Sequence, residues 1–382
     1  MKMKKKITVT TGSRSEYGIL RPLLKEIITN KNLELYLIVS GMHLSKIHGM
    51  TINEIKKDGF GISAKVKMTP TKDTSFHSAE ALGKGVIQFS KIFNRIKPDL
   101  NLVLGDRDEA LASTLAASHM NIINAHIAGG DKSGGIDEYN RHAITKLSNL
   151  HFAVTKKSRN RIIKLGENPK NVFVTGSPAI DEIIQSQITS KKDLETKLDI
   201  KITGKEILLV FHPVTTQTSK NKEQIEKILK AISKLKKTTI TIAPNSDFGY
   251  KQIYESIENF SKKNKFLKMI PNLPRRDYLG LLKNFGVLIG NSSSGLVEAS
   301  YFNIPVVNIG IRQQSRESGP NTINISGSSV NEIFSSINKA LSTKKRLKKS
   351  NNIFGSGNSS KKIVKYLQKN YSENLIKKQI NF

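Results

Sequence analysis

The stretch VLGDRDEALASTLAASHMNIINAHIAGGDKSGGIDEYNRHAITK, residues 103–146, decides the fold class. An apolar strand ends at Gly105, Asp106 and Arg107, a helical segment follows, and a second apolar strand runs through His126. A strand, a helix and a further strand in close succession are typical of a parallel sheet, which places ligand sites at the carboxyl ends of its strands. Burying charge there is costly unless the charge is paired or used, so the pattern predicts a functional site.

Charged residues continue beyond the second strand. Asp131 follows two glycines, and we interpret the next residues as a glycine-bearing loop that carries Asp137, Glu138, Arg141 and His142. Loops at strand ends are common positions for binding and catalytic side chains. We therefore predict that Asp106, Asp131, Asp137, Glu138 and Arg141 collect at an active site.

Strands and helices alternate over the rest of the chain. Continuously apolar strands such as LYLIVS and LNLVLG favour a parallel sheet covered on both faces. Strands are predicted at 6–11, 34–40, 100–105, 122–127, 150–155, 172–175, 206–211, 238–243, 286–289 and 305–309. The predicted fold class is α/β, with two Rossmann-like doubly wound domains that face a cleft. The predicted domains are 1–180 and 205–370, with a linker at 181–204 and a polar tail at 371–382 that is a candidate for disorder.

Composition limits the function classes. The 382 residues are 37% hydrophobic and 24% charged, the profile of a soluble globular protein of two domains. Cysteine is absent, which removes thiolate catalysis and cysteine-ligated metals. No run approaches 18 apolar residues, and the first residues contain no apolar stretch long enough for a signal peptide, so a cytoplasmic protein without membrane contact is expected.

The formal net charge of +31 admits two interpretations. Nucleic-acid binding is one, and a lysine-rich solvated surface is the other. Lysines are spread along the chain, tryptophan is absent and aromatic residues make up only 6%, so no base-stacking motif accompanies the charge. We favour the solvated surface and expect no nucleic-acid partner, although a positive field would attract an anionic nucleotide substrate.

Two glycine-bearing turns are candidate anion sites. The turn after the first strand contains Gly12 and Arg14, and in isolation it is equally consistent with a simple strand–helix connection. The second turn, GNSSSG at residues 290–295, follows a buried strand and opens a helix. Its small residues allow close backbone approach, so Ser292 and Ser293 are predicted to bind a diphosphate without a metal. The alternative is a serine N-cap without ligand.

Further candidates follow strand ends in the second half. His212 precedes a proline at the end of one strand, and Asn245 would either read a base edge or hold its own loop. Arg312 follows the last predicted strand and is suited to clamp a phosphate. Glu298, one turn into the helix after GNSSSG, is placed for a sugar hydroxyl. The histidines show no metal-ligand spacing, so neither a metal nor a cofactor is predicted.

These motifs together resemble one family. TGSRSEYGILRPLL, GDRDEALA, HIAGGDKSGGIDEYNRHAITK, TGSPAID, FHPVTT and GNSSSG, followed by IPVVNIGIRQQSRE, are similar in content and order to the hydrolysing UDP-N-acetylglucosamine 2-epimerases of sialic-acid-type sugar synthesis. The resemblance covers residues from about 6 to about 369. It implies a glycosyltransferase-B-like fold, a homodimer and release of UDP with inversion at sugar C2.

The resemblance also assigns roles to positions of this chain. Asp106, Asp137 and His212 fall on catalytic positions. Nucleotide-binding positions are matched by Arg14, Arg107, Asn245, Ser292, Ser293, Glu298 and Arg312. Many relatives carry a glutamate two residues after the histidine of the HI motif, where this chain has Ala128, and Asp131 is the nearest acid that would replace it.

The implied reaction converts UDP-N-acetylglucosamine and water into UDP and N-acetylmannosamine through a 2-acetamidoglycal. Two acid/base groups are required, and we predict that Asp106 and either Asp131 or Asp137 share the proton transfers. The leaving diphosphate would be stabilised by His212, Arg312 and the helix N-terminus at Ser292 and Ser293, with Glu138 and Arg141 as further substrate contacts. An alternative substrate is a UDP- or GDP-linked 2,4-diacetamido-2,4,6-trideoxyglucose, on the way to legionaminic-type acids. A glycosyltransferase of the same fold and a non-hydrolysing epimerase are further alternatives.

Overall fold

The computed structural model describes residues 3–343, 352–369, 371 and 373–381. The chain divides into two compact units. Unit 1 comprises Met1–Asp131, Asp137–Gln185 and Ile353–Phe382, and unit 2 comprises Lys132–Ile136 and Ser186–Asn352. Each unit holds one parallel sheet with helices between most successive strands, so the predicted class of two Rossmann-like doubly wound domains is confirmed.

Unit 1 is built on a seven-stranded sheet in the order β3-β2-β1-β4-β5-β6-β7. Its strands are β1 (Lys5–Thr11), β2 (Leu33–Ser40), β3 (Ile62–Val66), β4 (Leu100–Leu104), β5 (Ile123–Ile127), β6 (Leu150–Ala153) and β7 (Val172–Val174). Its helices are α1 (Arg14–Thr29), α2 (Ile52–Lys57), α3 (Ser75–Ile96), α4 (Asp108–His119), α5 (Ile136–Leu147), α6 (Lys156–Lys164) and α7 (Pro178–Gln185). The central strand β4 is buried at all five positions, which explains its mostly apolar character, and its one polar residue, Asn101, donates to Asn124 and accepts from Ser113.

Unit 2 is built on a six-stranded sheet in the order β10-β9-β8-β11-β12-β13. Its strands are β8 (Ile207–Val210), β9 (Thr239–Ile242), β10 (Leu267–Ile270), β11 (Val287–Gly290), β12 (Val306–Ile309) and β13 (Thr322–Ile325). Its helices are α8 (Lys191–Leu198), α9 (Thr218–Leu235), α10 (Tyr250–Lys263), α11 (Arg275–Asn284), α12 (Ser293–Phe302) and α13 (Val330–Thr343). The described part of the chain contains no helix with the length and apolar character needed to span a membrane.

The strand order of each sheet reverses at one point. In unit 1 the reversal lies between β1 and β4, and in unit 2 it lies between β8 and β11. Loops that leave the carboxyl ends of such a strand pair diverge to opposite faces and open a crevice. The turns that begin at Gly12 and Gly105 therefore share one crevice, and those that begin at Phe211 and Asn291 share another.

The end of the chain returns to unit 1. Helix α14 (Ser359–Leu367) places Ile363, Val364 and Leu367 in the unit 1 core. The buried carboxylate of Asp181 on α7 accepts the backbone N–H groups of Ser359 and Ser360, which caps the start of α14. This corrects the predicted extent of the C-terminal domain, 205–370, because residues 353–369 pack with unit 1. It also shortens the linker predicted at 181–204, since unit 1 extends to Gln185.

Two kinds of element differ from the sequence predictions. Strands β3, β10 and β13 were absent from the predicted set, and each lies at an edge of its sheet. In addition, the glycine-bearing loop predicted to carry Asp137, Glu138 and Arg141 is a loop only as far as Gly135, and these residues lie on helix α5. Gly135 has a positive φ of 80° immediately before that helix begins, a conformation that glycine adopts at little cost.

Candidate functional site

A buried histidine fixes the turn that follows β4. Gly105 has a φ of +73°, and its N–H donates to the Ile127 carbonyl at 2.9 Å. His126, fully buried on β5, places Nε2 2.7 Å from the Gly105 carbonyl oxygen and Nδ1 3.1 Å from Thr145 Oγ1. Burial lowers the pKa of His126 to about 3, so the ring is neutral, donates from Nε2 and accepts at Nδ1. His126 thereby ties the Asp106 turn to helix α5.

Arg141 is the centre of the charged cluster in unit 1. Only 1% of its side chain is exposed, and its guanidinium pairs with the carboxylates of Asp106 and Glu138 and donates to the Asp131 carbonyl oxygen at 3.1 Å. Burial acts to lower its pKa, but the carboxylates of Asp106 and Asp131 outweigh that effect and raise it. A buried cation of this kind is tolerated because several acceptors satisfy it. Arg141 therefore holds Asp106 in place, rather than waiting for an anionic ligand as a surface arginine would.

The predicted acids occupy different environments. Asp131 is 6% exposed, and its carboxylate accepts the Ser158 hydroxyl at 2.6 Å. Asp137 lies half-buried in the first turn of α5, next to Glu138, which also contacts His142 Nε2 at 2.9 Å. The carboxylates of Asp106, Asp131 and Asp137 all act to raise the pKa of Arg141, and the Asp131 carboxylate is also hydrogen-bonded to Ser158 at the start of α6.

Ala128 adopts the left-handed conformation, with a φ of +64°. Its backbone N–H donates to the Phe152 carbonyl at 3.0 Å, which continues the pairing of β5 with β6. A non-glycine residue in this region costs on the order of 1 kcal/mol, so the conformation is imposed by the surrounding turn. Asp131 is the acid closest in sequence to Ala128, and its backbone carbonyl accepts a hydrogen bond from Arg141.

The turn after β1 differs from the anion site predicted there. The Gly12 N–H donates at 2.6 Å to the carboxyl group of Glu16, and Ser13 caps the N–H of Glu16. Burial, reinforced by the charge of Glu109, raises the pKa of Glu16 to about 8, so this carboxyl is protonated at neutral pH. A Cβ atom added at Gly12 would lie 2.4 Å from Cδ of Glu109, which shows how closely the acid packs against the turn. A carboxyl pair occupies the place where the sequence predicted a bound anion.

Arginines flank this carboxyl pair. Arg107 donates to Glu109 at 3.0 Å and 3.3 Å, and Arg14 contacts Glu54 at 3.0 Å. Both predicted nucleotide-binding arginines therefore lie at the carboxyl ends of the central strands, as predicted, and each already has a carboxylate partner. The sequence did not lead us to predict the pair of Glu16 and Glu109. Its signal was an acid in the first or second turn of each helix that follows a central strand, in TGSRSE and GDRDE.

In unit 2, His212 and Asn291 connect the two loops at the strand-order reversal. The N–H of His212 donates to Asn291 Oδ1 at 2.7 Å, and Asn291 Nδ2 donates to the His212 carbonyl at 2.8 Å. His212 Nδ1 accepts the backbone N–H of Asn245 at 3.1 Å, so a neutral ring carries its proton on Nε2. This hydrogen bond orients the half-buried ring and leaves a defined Nε2–H donor.

The GNSSSG turn is a tightly built helix N-terminus. Gly290 has a φ of +127°, and a Cβ atom there would lie 2.0 Å from the Val210 carbonyl oxygen. Ser292 is the N-cap of α12, and its hydroxyl lies 2.9 Å from that of Ser294, which also contacts the Tyr278 hydroxyl. Both predicted features, a serine N-cap and a helix N-terminus suited to an anion, are present in this turn.

The remaining predicted residues of unit 2 have protein partners. Glu298 is 3% exposed and pairs with Arg275 Nη1 at 2.8 Å, a contact that the sequence did not reveal. Arg312 donates to the Asn291 carbonyl at 3.3 Å, which places its guanidinium beside the GNSSSG turn. Asn245 donates from Nδ2 to Asp247, while its Oδ1 is a buried oxygen without a hydrogen-bond partner in the described structure. That oxygen is an acceptor that a ligand donor would satisfy.

The architecture is that of the glycosyltransferase-B-like class, with two Rossmann-like units and candidate residues at the carboxyl ends of the strands. Comparison with known proteins defines the family within that class. The family model described as UDP-N-acetylglucosamine 2-epimerase matches residues 25–368, so the chain belongs to this family.

Individual relatives agree with this assignment. The chain is 36% identical over 366 residues to a UDP-N,N'-diacetylbacillosamine 2-epimerase (hydrolyzing) of Legionella pneumophila, and the match covers 96% of each protein. It is 35% identical over 339 residues to a GDP/UDP-N,N'-diacetylbacillosamine 2-epimerase (hydrolyzing) of Campylobacter jejuni, with 88% of this chain and 87% of the relative covered. The crystal structure of a UDP-GlcNAc 2-epimerase from Neisseria meningitidis bound to UDP-GlcNAc shares the fold, with a TM-score of 0.82, 21% identity and coverage of 96% and 100%.

Proposed function

We propose that this protein is a hydrolysing 2-epimerase, which converts a UDP-linked 2-acetamido sugar and water into UDP and the free 2-epimer. The observation that carries the proposal is the 36% identity, over 96% of both chains, to a relative that bears this activity in its name. We further propose that the enzyme acts in the cytoplasm as a homodimer, in the synthesis of sialic-type or legionaminic-type acids.

The proposed chemistry requires two proton transfers at C2. The C2 hydrogen of a 2-acetamido sugar is not adjacent to a carbonyl group, so its direct removal is difficult. Loss of the C2 proton together with cleavage of the C1–O bond expels UDP and leaves a 2-acetamidoglycal. Water then adds its oxygen to C1, and a proton is delivered to the opposite face of C2. One water is consumed, and the acid/base groups return to their starting states.

Asp106 is the proposed first acid/base group. The ion pair with buried Arg141 orients the Asp106 carboxylate at the end of the central strand. Asp137 is the favoured second group, because it lies half-buried in the same cluster, whereas the Asp131 carboxylate is buried against the Ser158 hydroxyl. Asp131 is then a support for the Arg141 cluster through its backbone carbonyl.

The proposed leaving-group site lies in unit 2. The Nε2–H of His212, the guanidinium of Arg312 and the N-terminus of α12 at Ser292 and Ser293 are donors suited to a diphosphate as its negative charge grows. The buried Oδ1 of Asn245 is the proposed acceptor for the nucleotide base, and Glu298 the proposed acceptor for the ribose. In unit 1, Arg14, Arg107 and Glu138 complete the proposed contacts to the substrate.

Two sugars are candidate substrates. The names of the Legionella and Campylobacter relatives favour UDP-N,N'-diacetylbacillosamine, a 2,4-diacetamido-2,4,6-trideoxyglucose donor. The name of the family, UDP-N-acetylglucosamine 2-epimerase, favours UDP-N-acetylglucosamine, the substrate that the sequence motifs suggested first. The two donors differ only at C4 and C6, so both undergo the same proposed chemistry at C1 and C2.

A donor panel in D₂O tests the proposal. UDP-N-acetylglucosamine, UDP-N,N'-diacetylbacillosamine and the GDP analogue of the latter are each incubated with the enzyme, and nucleotide release and the proton NMR spectrum of the sugar are followed. We expect UDP release and a free manno-configured sugar that carries deuterium at C2. An epimerised sugar that remains linked to UDP would indicate a non-hydrolysing epimerase. Release only after an acceptor is added would indicate a glycosyltransferase.

A further inference from the structure

The C-terminal segment, residues 373–381, is fastened to unit 1 at three points. Asn149 Nδ2 donates to the Leu375 carbonyl at 2.8 Å, and the Asn381 N–H donates to the Gly166 carbonyl at 3.0 Å. Between these two contacts, the ammonium group of Lys378 enters a partly buried pocket. Its surroundings identify a role that the sequence motifs did not suggest.

Lys378 caps the end of helix α5. Its Nζ donates to the carbonyl oxygens of Thr145 at 3.3 Å, Lys146 at 2.5 Å and Ser148 at 2.6 Å. Carbonyl groups in the last turn of a helix have no partner within the helix and carry the negative end of its dipole. A lysine more than 200 positions away in sequence therefore satisfies three acceptors at one helix end.

A buried carboxylate fixes Lys378 in this position. Glu167, with a side chain only 2% exposed, contacts the ammonium groups of Lys378 and Lys146 at 2.7 Å each and His151 Nε2 at 3.1 Å. Burial opposes ionisation of Glu167, but these three partners outweigh it and lower its pKa to about 2. The carboxylate stays charged at neutral pH, so the Lys378 ammonium retains its counter-ion.

The same helix end is also held by His126. The Thr145 hydroxyl hydrogen-bonds to His126 on β5, and the Thr145 carbonyl accepts from Lys378. The last turn of α5 is therefore held both by β5 and by the C-terminal segment. The other end of α5 carries Asp137 and Glu138, and its middle carries Arg141. A displacement of α5 along its axis would move the Arg141 guanidinium relative to Asp106.

We propose that Lys378 is a positioning residue for the active site, and that the C-terminal segment sets the placement of Arg141, and so of Asp106, by capping α5. This inference rests on the proposed function, since it takes Asp106 as the acid/base group. Lys378 touches no reacting atom in this proposal. It acts through the helix.

The test compares Lys378→Met with Lys5→Met. Methionine retains much of the length of lysine but has no N–H donors. Lys5 anchors the same end of the chain, through the Leu367 and Lys369 carbonyls, but makes none of the contacts with α5. Steady-state nucleotide release gives kcat and KM, and hydrogen exchange followed by mass spectrometry reports on the peptide that spans residues 136–147. Both are recorded well below the melting temperature of each variant.

We expect Lys378→Met to lower kcat about tenfold to a hundredfold with KM changed less than about threefold, because small misplacements of a catalytic group have effects of this size. Exchange in α5 should rise, and Lys378→Arg should recover part of the lost kcat. Lys5→Met should leave kcat and α5 exchange unchanged even if it lowers the melting temperature. A Lys378→Met enzyme with wild-type kcat would overturn the proposal.

Failure of the proposed function gives a different result. If the wild-type enzyme releases nucleotide from none of the donors, the reaction assignment falls, and α5 exchange alone decides the role of Lys378. Faster exchange in Lys378→Met but not in Lys5→Met would sustain the positioning of α5 by the C-terminal segment. Equal exchange in both variants would refute it.

Discussion

The candidate site of unit 1 and the candidate site of unit 2 are built in different ways. In unit 1, charged side chains hold one another, with Asp106 and Glu138 paired to a buried Arg141 and Glu16 packed beside Glu109. In unit 2, backbone groups, hydroxyls and amides dominate around His212 and the GNSSSG turn. A network of charges is suited to proton transfer, whereas a helix N-terminus with small residues is suited to an anion that arrives and leaves. In the proposed mechanism, unit 1 accordingly carries out the acid/base chemistry and unit 2 binds the leaving group.

Among the substitutions proposed here, Asp106→Asn in unit 1 should have the largest effect on kcat. The substitution keeps the size of the side chain and removes its ability to take a proton, so we expect kcat for nucleotide release to fall by about 10³- to 10⁴-fold. UDP affinity, measured by calorimetry, should change little if unit 2 binds the nucleotide. Wild-type turnover in this variant would remove Asp106 from the mechanism.

The matched change in unit 2 is His212→Asn. Asparagine offers an oxygen to the Asn245 N–H but has no counterpart of the imidazole Nε2–H. We expect kcat to fall by about 10²- to 10³-fold because a donor to the departing phosphate is lost, a typical effect for removal of one such donor. An unaltered kcat would contradict the proposed role in leaving-group stabilisation.

The buried carboxyl group of Glu16 should give unit 1 a distinctive dependence on pH. Its pKa is raised from 4.5 to about 8 by burial and by Glu109, so the folded state binds a proton that the unfolded state releases above pH 4.5. The stabilisation is complete below pH 4.5 and is lost as the pH rises towards 8. Between pH 5 and 7 the free energy of unfolding should fall by about 2–3 kcal/mol on account of this group.

Urea unfolding of wild type and Glu16→Gln across this range measures the effect. Glutamine keeps an acceptor for the Gly12 N–H and cannot ionise, so the variant should show a flatter profile. Glu182→Gln, another buried acid of unit 1, is a control for the loss of one titrating carboxyl. Identical slopes for wild type and Glu16→Gln would show that Glu16 is ionised in the folded protein.

The sequence predicted the central architecture well because the central strands are buried on both faces. Continuous apolar runs such as ILLV in β8 and VLIG in β11 mark such strands unambiguously. The edge strands β3 and β10 carry exposed or half-buried positions at most of their residues, as ISAKV illustrates, and that pattern is weak. The start of helix α5 was predicted as a loop because its acids follow directly after Gly134 and Gly135, and only the turn at Gly135 separates the loop from the helix.

The sequence alone yields candidate site residues at the strand ends, whereas the side chains that they contact could not be predicted. Asp106 and Arg141 are 35 positions apart, and Glu298 is paired with Arg275, 23 positions earlier. Spacing in sequence carries no information about which charges meet when the connecting segments are whole helices and strands. The return of α14 to unit 1 is a similar case, since the apolar face of SSKKIVKYL does not specify which sheet it will cover.

The smallest predicted effect sharpens the comparison at Arg312. Arginine presents several donors in a planar fork, and lysine presents a single ammonium, so Arg312→Lys should weaken UDP binding about tenfold while preserving the charge. Calorimetric titration with UDP measures this change. The control is Arg21→Lys, because Arg21 lies on α1 and is paired with Asp58. Because the proposed acid/base groups are in unit 1, kcat at saturating substrate should fall less than the affinity for UDP. If kcat fell as far as it does in His212→Asn while UDP affinity held, Arg312 would act mainly on the charge that grows on the departing diphosphate in the transition state, and only weakly on the affinity for bound UDP.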